Sequence, residues 1–118
     1  PGLWRAEKIQ KKAAKVGFDW PDVSGALEKL REEAGELEEA VREDTNVAEE
    51  LGDLLFAAVN VARFVKVDPE DALSIACDKF ARRFRQVEAS AAAQGKTLEE
   101  MTLAEMDRLW DEAKKQEA

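Results

Sequence analysis

The sequence predicts an all-α protein, a helical bundle of about five helices in a single domain that spans residues 1–118. Apolar residues recur at gaps of three and four along five stretches, as they do on one face of a helix; Leu27, Leu30 and Leu37 are an example. No stretch shows the sustained alternation of a β-strand between hairpin turns. Because 45% of the 118 residues are hydrophobic, one core can form.

Turn and capping residues predict the ends of the first three helices. The first is expected from about residue 3 to 16 and ends before Gly17, since glycine favours the conformation that follows a helix. Ser24 is the expected cap of the second helix. Asn46 and Glu49 resemble a capping box at the start of the third, which is expected to reach about residue 65.

The last two helices have clearer signals. Pro69 suits the first turn of the fourth helix, and Gly95 follows its expected end. Thr102 and Glu105 have the spacing of a capping box, which predicts that a fifth helix starts there and reaches about residue 115.

The third helix is apolar almost all round between residues 54 and 65, where only Asn60 and Arg63 interrupt. A helix without a polar face is expected to be buried on every side. A chain this short has few other helices with which to surround it, so a second subunit is the expected cover, and a closed homodimer is the commonest such assembly. The alternative is the central helix of a monomeric bundle.

Composition excludes several classes of function. The net charge of −8 argues against nucleic acid or an anionic membrane as partner, because both attract basic surfaces. The chain has no histidine, which excludes Ser-His and Cys-His nucleophiles and His-ligated zinc. A single cysteine cannot form an internal disulfide, which fits the reducing cytoplasm. The chain begins at Pro1 rather than Met, so a fragment of a longer protein, a processed product or a tagged protein is expected.

Two pairs of acidic residues carry the candidate chemistry. Glu33 and Glu36 lie three apart on the second helix, and Glu50 and Asp53 lie three apart on the third, so each pair shares a helix face. Glu36 and Glu50 are equidistant from the turn between these helices, as are Glu33 and Asp53. In an antiparallel hairpin the four carboxylates are therefore expected to converge.

Four facing carboxylates repel one another and raise their own pKa values unless a cation joins them. Oxygen ligands with room for substrate phosphate suit Mg²⁺, with Mn²⁺ as a substitute. Gly35 and Gly52 lie inside the two pairs, where glycine costs helix stability, so close backbone approach or room at the site is expected there. The alternative is that these residues form a solvated acidic face.

At these residues the sequence resembles a known family. The pattern Glu32-Glu33-x-x-Glu36 followed by Glu50-x-x-Asp53 is similar to that of the all-α nucleoside triphosphate pyrophosphohydrolases of the MazG type. The likeness covers nearly the whole chain and is strongest to the C-terminal catalytic domain of tandem MazG proteins. It also includes residues 8–20, 52–56 and 59–63, and the motif Lys79-Phe80-x-x-Arg83-Phe84.

The resemblance implies Mg²⁺-dependent hydrolysis of standard or damaged nucleoside triphosphates to the monophosphate and pyrophosphate. It implies metal ligands at Glu33, Glu36, Glu50 and Asp53. Glu32, beside them, is our candidate for orienting or deprotonating the attacking water. Asn46 stands where some relatives carry a basic residue. The expected substrate-binding residues are Lys29, Asn46, Glu49, Asn60, Lys79, Arg83 and Trp110.

Three alternatives remain open at this point. The first is a related dimeric dUTPase-like enzyme that acts on a single pyrimidine nucleotide. The second is a non-catalytic helical module whose glutamate-rich face binds a basic partner. The third, suggested by the missing Met, is a catalytically weak domain of a longer regulatory protein. Metal dependence distinguishes them, because a module of the second kind has no use for Mg²⁺ at paired carboxylates.

Overall fold

The computed structural model describes residues 1–117, which contain helices and turns and no strand, so the all-α prediction is confirmed for them. Five α-helices follow in order, with a 3₁₀ helix at Leu98–Glu100 before the last: α1 Gly2–Lys15, α2 Val23–Glu43, α3 Val47–Phe64, α4 Pro69–Ala93 and α5 Leu103–Gln116. The chain divides into two compact units, Pro1–Ala72 and Leu73–Ala118. A single domain therefore stays a prediction. No helix within residues 1–117 has the length and apolar character to cross a membrane.

The helix α1 ends where glycine predicted. Gly17 has a φ of +89°, a conformation that favours glycine. Its backbone N–H donates to the Ala14 carbonyl at 3.0 Å, and the Phe18 N–H donates to the Ala13 carbonyl at 3.1 Å. These bonds satisfy carbonyls left open at the helix end and turn the chain towards α2.

The start of α2 differs from the prediction. Its N-cap is Asp22, whose carboxylate accepts hydrogen bonds from the backbone N–H of Ser24 at 2.9 Å and from the Ser24 hydroxyl. Ser24 already lies within the first turn of the helix. Both residues are good caps, and the extended Asp22 backbone is the one with the conformation that an N-cap needs.

A turn of three residues joins α2 to α3 and makes them antiparallel neighbours. Asp44 and Asn46 both have a left-handed backbone, with φ values of 55° and 53°. Asn46 is the N-cap residue of α3, but its side chain makes no capping hydrogen bond, so the predicted capping box with Glu49 is wrong. A left-handed residue does not place its side chain over the first N–H groups, because that geometry needs an extended backbone.

Within the single chain, α3 is not buried on every side. Ala57 and Val59 are buried, whereas Leu51 and Leu55, one turn apart, are 44% and 51% exposed. The expectation of burial all round is therefore wrong for one chain alone. The dimer that the expectation implied stays a prediction.

The second unit has its own small core. Val87 and Ala91 of α4 pack with Met101 and Leu109, and partly buried Leu98, Met106 and Trp110 pack against them. The predicted capping box of α5 is confirmed. Glu105 N–H donates to the Thr102 hydroxyl at 3.2 Å, and Thr102 N–H donates to the Glu105 carboxylate at 3.1 Å.

Candidate active site

The antiparallel pairing of α2 and α3 brings carboxylates from both helices together. One oxygen each of Glu33, Glu50 and Asp53 lie within 4.8 Å of one another. Oxygens of Glu32, Glu33 and Glu36 form a second group within the same limit, so Glu33 belongs to both. The short turn fixes the register of the two helices, and that register decides which acidic residues face each other.

Two oxygens of this cluster are buried without a partner. Glu33 is only 5% exposed, and its Oε2 atom receives no hydrogen bond from residues 1–117. The Oε2 atom of half-buried Glu50 is also buried and receives no hydrogen bond from these residues. Leaving a charged acceptor unpaired away from water is costly, so both oxygens need a cationic or donor ligand.

A lysine lies at the edge of the cluster. The Lys29 Nζ atom is 2.9 Å from Glu33 Oε1 and 3.4 Å from Glu32 Oε1, because Lys29 lies one helical turn before these two adjacent residues of α2. Its hydrogen bond to Glu33 raises the pKa of Lys29 against the opposing effect of burial. One ammonium group neutralises only part of the charge of five neighbouring carboxylates.

The remaining negative charge affects Glu36. A hydrogen bond with Glu33 and the charge of Glu33 raise the pKa of the Glu36 carboxyl, and the charges of Glu50 and Glu32 act in the same direction. This is the repulsion expected for converging carboxylates without a counter-ion.

The donor set fits a divalent cation. It consists of carboxylate oxygens alone, drawn from two facing helices, and two of those oxygens are buried and unpaired. Hard oxygen ligands of this kind suit Mg²⁺, Mn²⁺ or Ca²⁺ far better than zinc. The cluster can therefore hold a metal ion.

A cavity of about 670 Å³ adjoins the cluster within the first unit. Lys29, Glu33 and Asp53 contribute to its wall and so connect it to the carboxylates. Most of the remaining wall is apolar, with Ile9, Ala13, Phe18, Trp20, Phe56 and Ala57 among the lining residues. Exposed aromatic side chains around a cavity of this size are suited to a flat ring such as a nucleobase.

Four further polar side chains lie in the same wall: Gln10, Asp19, Asn60 and Arg63. Gln10 donates from Nε2 to the backbone carbonyl of Phe56 at 2.9 Å. Asn60, a predicted substrate residue, lines the cavity. Its Oδ1 atom accepts hydrogen bonds from Arg63 at 3.2 Å and 2.7 Å. Arg63 also forms two hydrogen bonds with Asp19, of 3.0 Å and 2.6 Å, which tie the segment between α1 and α2 to α3. The Arg63 guanidinium lowers the pKa of Asp19.

The two glycines inside the acidic pairs lie in open space. A Cβ atom added at Gly35 or Gly52 would meet nothing within 4 Å, so close backbone approach does not explain these glycines, and room at the site stays a prediction. At Gly25 the added Cβ would lie 2.8 Å from Cε3 of Trp20. Gly25 is therefore the position where a missing side chain matters, because it lets Trp20 of the cavity wall pack on α2.

The predicted residues near the turn are only partly brought to the cluster. Asn46 is exposed and lines a smaller cavity of about 190 Å³ together with Glu36 and Glu50. Glu49 is exposed and lines neither cavity. It points away because it neighbours Glu50 in sequence, and adjacent residues on a helix face different directions.

The other three predicted substrate residues lie in the second unit. Lys79 is exposed, and Arg83 pairs with Glu117 at 2.8 Å, a contact that raises the pKa of Arg83. The Arg83 guanidinium also lies 5.6 Å from the Trp110 ring centroid. Trp110 packs against the core of this unit. Their contact with substrate stays a prediction.

Gln10 and the Asp19–Arg63 pair were missed by sequence reasoning. Gln10 had a signal, because Leu3, Ala6, Gln10 and Ala13 follow one another at gaps of three and four, so that a polar residue occupies an apolar stripe. Asp19 and Arg63 are 44 residues apart, and no local pattern links them.

Fold and site together define a helical protein with a cluster of carboxylates, able to hold a metal ion, beside an aromatic cavity. Residues 22–88 match the model of the MazG nucleotide pyrophosphohydrolase domain, and the chain belongs to this family. The expectation from the sequence motifs is thus confirmed at the level of the family.

The chain is similar to three curated proteins, and it spans less than half the length of the first two. It is 46% identical over 114 residues to the nucleoside triphosphate pyrophosphohydrolase/pyrophosphatase MazG of Thermotoga maritima, covering 97% of this chain and 44% of that protein. It is 44% identical over 121 residues to the nucleoside triphosphate pyrophosphohydrolase of Escherichia coli K12, covering 99% and 46%. An uncharacterized Bacillus subtilis protein, YabN, is 53% identical over 72 residues, covering 61% and 15%.

Proposed function

We propose that this chain hydrolyses nucleoside triphosphates to the monophosphate and pyrophosphate and depends on Mg²⁺, with Mn²⁺ as a substitute. The observation that carries the proposal is the pair of buried, unpaired oxygens on Glu33 and Glu50, of which Glu33 also pairs with Lys29 and lines the aromatic cavity. Family membership and the names of the similar proteins support the same reaction.

Each side chain near the cluster has a proposed task. Glu33, Glu36, Glu50 and Asp53 hold the metal ion. When bound, the ion neutralises these carboxylates and withdraws charge from the substrate phosphates. Lys29 pairs with Glu33 of the cluster and also lines the cavity. Its ammonium group donates to a phosphate oxygen of the substrate, which replaces one of its carboxylate partners. The more exposed Glu32 accepts a proton from the attacking water.

The cavity is the proposed place for the nucleoside. Its apolar wall excludes water from one side of the ligand, and Phe18, Trp20 and Phe56 offer ring faces for stacking. Asp53 lines the cavity and also belongs to the carboxylate cluster, so base and phosphates can occupy neighbouring parts of one continuous site.

Product analysis tests the reaction. The protein is incubated with a panel of ribo- and deoxyribonucleoside triphosphates, with Mg²⁺ or with EDTA, and the products are separated. Monophosphate and pyrophosphate formed only with metal, and lost in Glu50→Gln but kept in Glu28→Gln, support the proposal. Glu28 is the matched control because it is an exposed glutamate on α2 outside the cluster. Turnover of dUTP alone favours the dUTPase-like alternative, and no turnover by folded protein favours an interaction module.

We also propose that the chain forms a homodimer in the cytoplasm. Leu51 and Leu55 expose an apolar stripe on α3, and a second copy is a partner that offers the same apolar surface. Light scattering tests this directly: a stable monomer contradicts it. Glutamate at Leu55 is expected to weaken the dimer, because it places a charge in the stripe.

A further inference from the structure

The cavity wall holds two carboxamides whose orientation is fixed by protein contacts. Gln10 Nε2 lies 2.9 Å from the Phe56 carbonyl oxygen, and only the NH₂ end of the amide can donate there. Asn60 Oδ1 faces the guanidinium of Arg63, which only donates. Each amide therefore has one end used by the protein and the other end left over.

The two free ends have opposite hydrogen-bonding character. The free end of Gln10 is the acceptor Oε1, which is buried and receives no hydrogen bond from residues 1–117. Gln10 as a whole is only 6% exposed. The free end of Asn60 is the donor Nδ2, which makes no hydrogen bond to the described part of the protein. The wall thus offers one acceptor and one donor within an otherwise largely apolar surface.

The helix α3 places these groups close together and at a defined distance from the carboxylates. Gln10 contacts the carbonyl of Phe56, and Asn60 is four residues further along, or about 6 Å along the axis at 1.5 Å per residue. Asp53 of the metal cluster is seven residues before Asn60, or about 10 Å along the same axis. One ligand with a polar ring edge and a phosphate chain spans these points.

From this arrangement we propose that Gln10 and Asn60 read the edge of the nucleobase, with Gln10 Oε1 accepting from a base N–H group and Asn60 Nδ2 donating to a base nitrogen or oxygen. The proposal rests on the proposed function, because it places the base of that substrate. Arg63 is a positioning residue, since its guanidinium holds the Asn60 Oδ1 atom, and Asp19 in turn holds that guanidinium.

The polar edge gives selectivity that the aromatic walls do not. Rings stack on any base, whereas an analogue without the N–H group leaves Gln10 Oε1 buried and unpaired. An unsatisfied buried acceptor weakens binding about tenfold or more.

Binding without catalysis tests the proposal. Calorimetry in EDTA compares monophosphates with analogues that lack the donor: AMP with purine riboside monophosphate, CMP with its 4-deamino analogue, and UMP with 3-methyl-UMP. The wild type is expected to bind the natural member of at least one pair about tenfold more tightly. Gln10→Leu is expected to bind both members alike. Asn60→Asp keeps the contact with Arg63 and loses the donor, so it is expected to weaken the natural member.

The control is Gln86→Leu, an exposed glutamine on α4, which is expected to keep the discrimination. Equal binding in every pair by the wild type overturns the proposal, and so does discrimination that survives Gln10→Leu. Arg63→Lys is expected to lower base discrimination while Mg²⁺ binding to the carboxylates stays unchanged. If the wild type discriminates between bases but hydrolyses no triphosphate, the proposed reaction fails and the base site stands.

Discussion

Removal of one negative charge from the carboxylate cluster is expected to have opposite effects without and with metal. The perturbation is Glu50→Gln, which keeps the shape of the side chain. Without metal, the charge of Glu50 repels those of Glu33 and Asp53, whose nearest oxygens lie within 4.8 Å. At this distance each pair costs about 3.5 kcal/mol at an effective dielectric constant of 20 and about 0.9 kcal/mol in water.

The repulsion that the substitution removes is smaller than this, because Lys29 partly neutralises Glu33 and because water screens the exposed Asp53. Glu50→Gln is therefore expected to raise the free energy of unfolding in EDTA by about 1–2 kcal/mol. A change of this size raises the melting temperature of a chain of this length by about 3–8 °C. In Mg²⁺ the wild type is expected to be more stable than Glu50→Gln. At a metal concentration of 100 times Kd, the wild type gains about 2.7 kcal/mol, and the variant, having lost a ligand, gains less.

The assay is thermal and urea unfolding of wild type, Glu50→Gln and Glu28→Gln in EDTA and in Mg²⁺. Glu28→Gln changes the net charge equally but lies outside the cluster, so its stability is expected to change little in either condition. The reasoning is refuted if Glu50→Gln is less stable than the wild type in EDTA, since Glu50 would then stabilise the hairpin without metal.

Three further outcomes are expected. Gly25→Ala places a methyl group against the Trp20 ring, so it is expected to lower the free energy of unfolding by up to about 2 kcal/mol and to shift tryptophan fluorescence. Gly52→Ala meets open space and is expected to raise the free energy of unfolding by up to about 1 kcal/mol. Urea unfolding compares the two variants. Thr102→Ala removes a confirmed cap and is expected to cost about 1 kcal/mol, measured in the same way. The raised pKa of Glu36 means that the metal-free protein holds this proton to higher pH than an ordinary glutamate, and metal must displace it. Mg²⁺ affinity is therefore expected to rise with pH through that pKa, and calorimetry in buffers of different ionisation enthalpy should detect proton release; a pH-independent affinity would contradict it.

Much of the carboxylate cluster was predictable from the sequence, because it depends on local geometry. Three-residue spacing places each acidic pair on one helix face, and a short turn leaves one plausible register between the helices. The raised pKa of Glu36 follows mainly from its three-residue spacing to Glu33 on the same helix, and the register adds the smaller effect of Glu50. The Thr102 cap of α5 was predictable for a similar reason, since both of its residues lie within one turn.

Local patterns were less successful where two local choices compete. Asp22 and Ser24 are both good caps, and the path of the chain after Pro21 decided for Asp22. Asn46 and Glu49 have the spacing of a capping box, but the tight turn imposes a left-handed Asn46 backbone that cannot form one. Glycine in a helix indicated close backbone approach or room at Gly52, and the structure shows open space there, whereas close approach occurs at Gly25.

Five helices, most of their ends and the acidic residues that face each other were thus predictable from local patterns, because they follow from contacts within a few residues or across one short turn. The burial of Gln10 against α3 and the contact of Asp19 with Arg63, 44 residues away, depend on how the helices pack. These contacts join segments that no short spacing relates. The free amide ends of Gln10 and Asn60 become visible only when the packing shows which of their atoms the protein already uses.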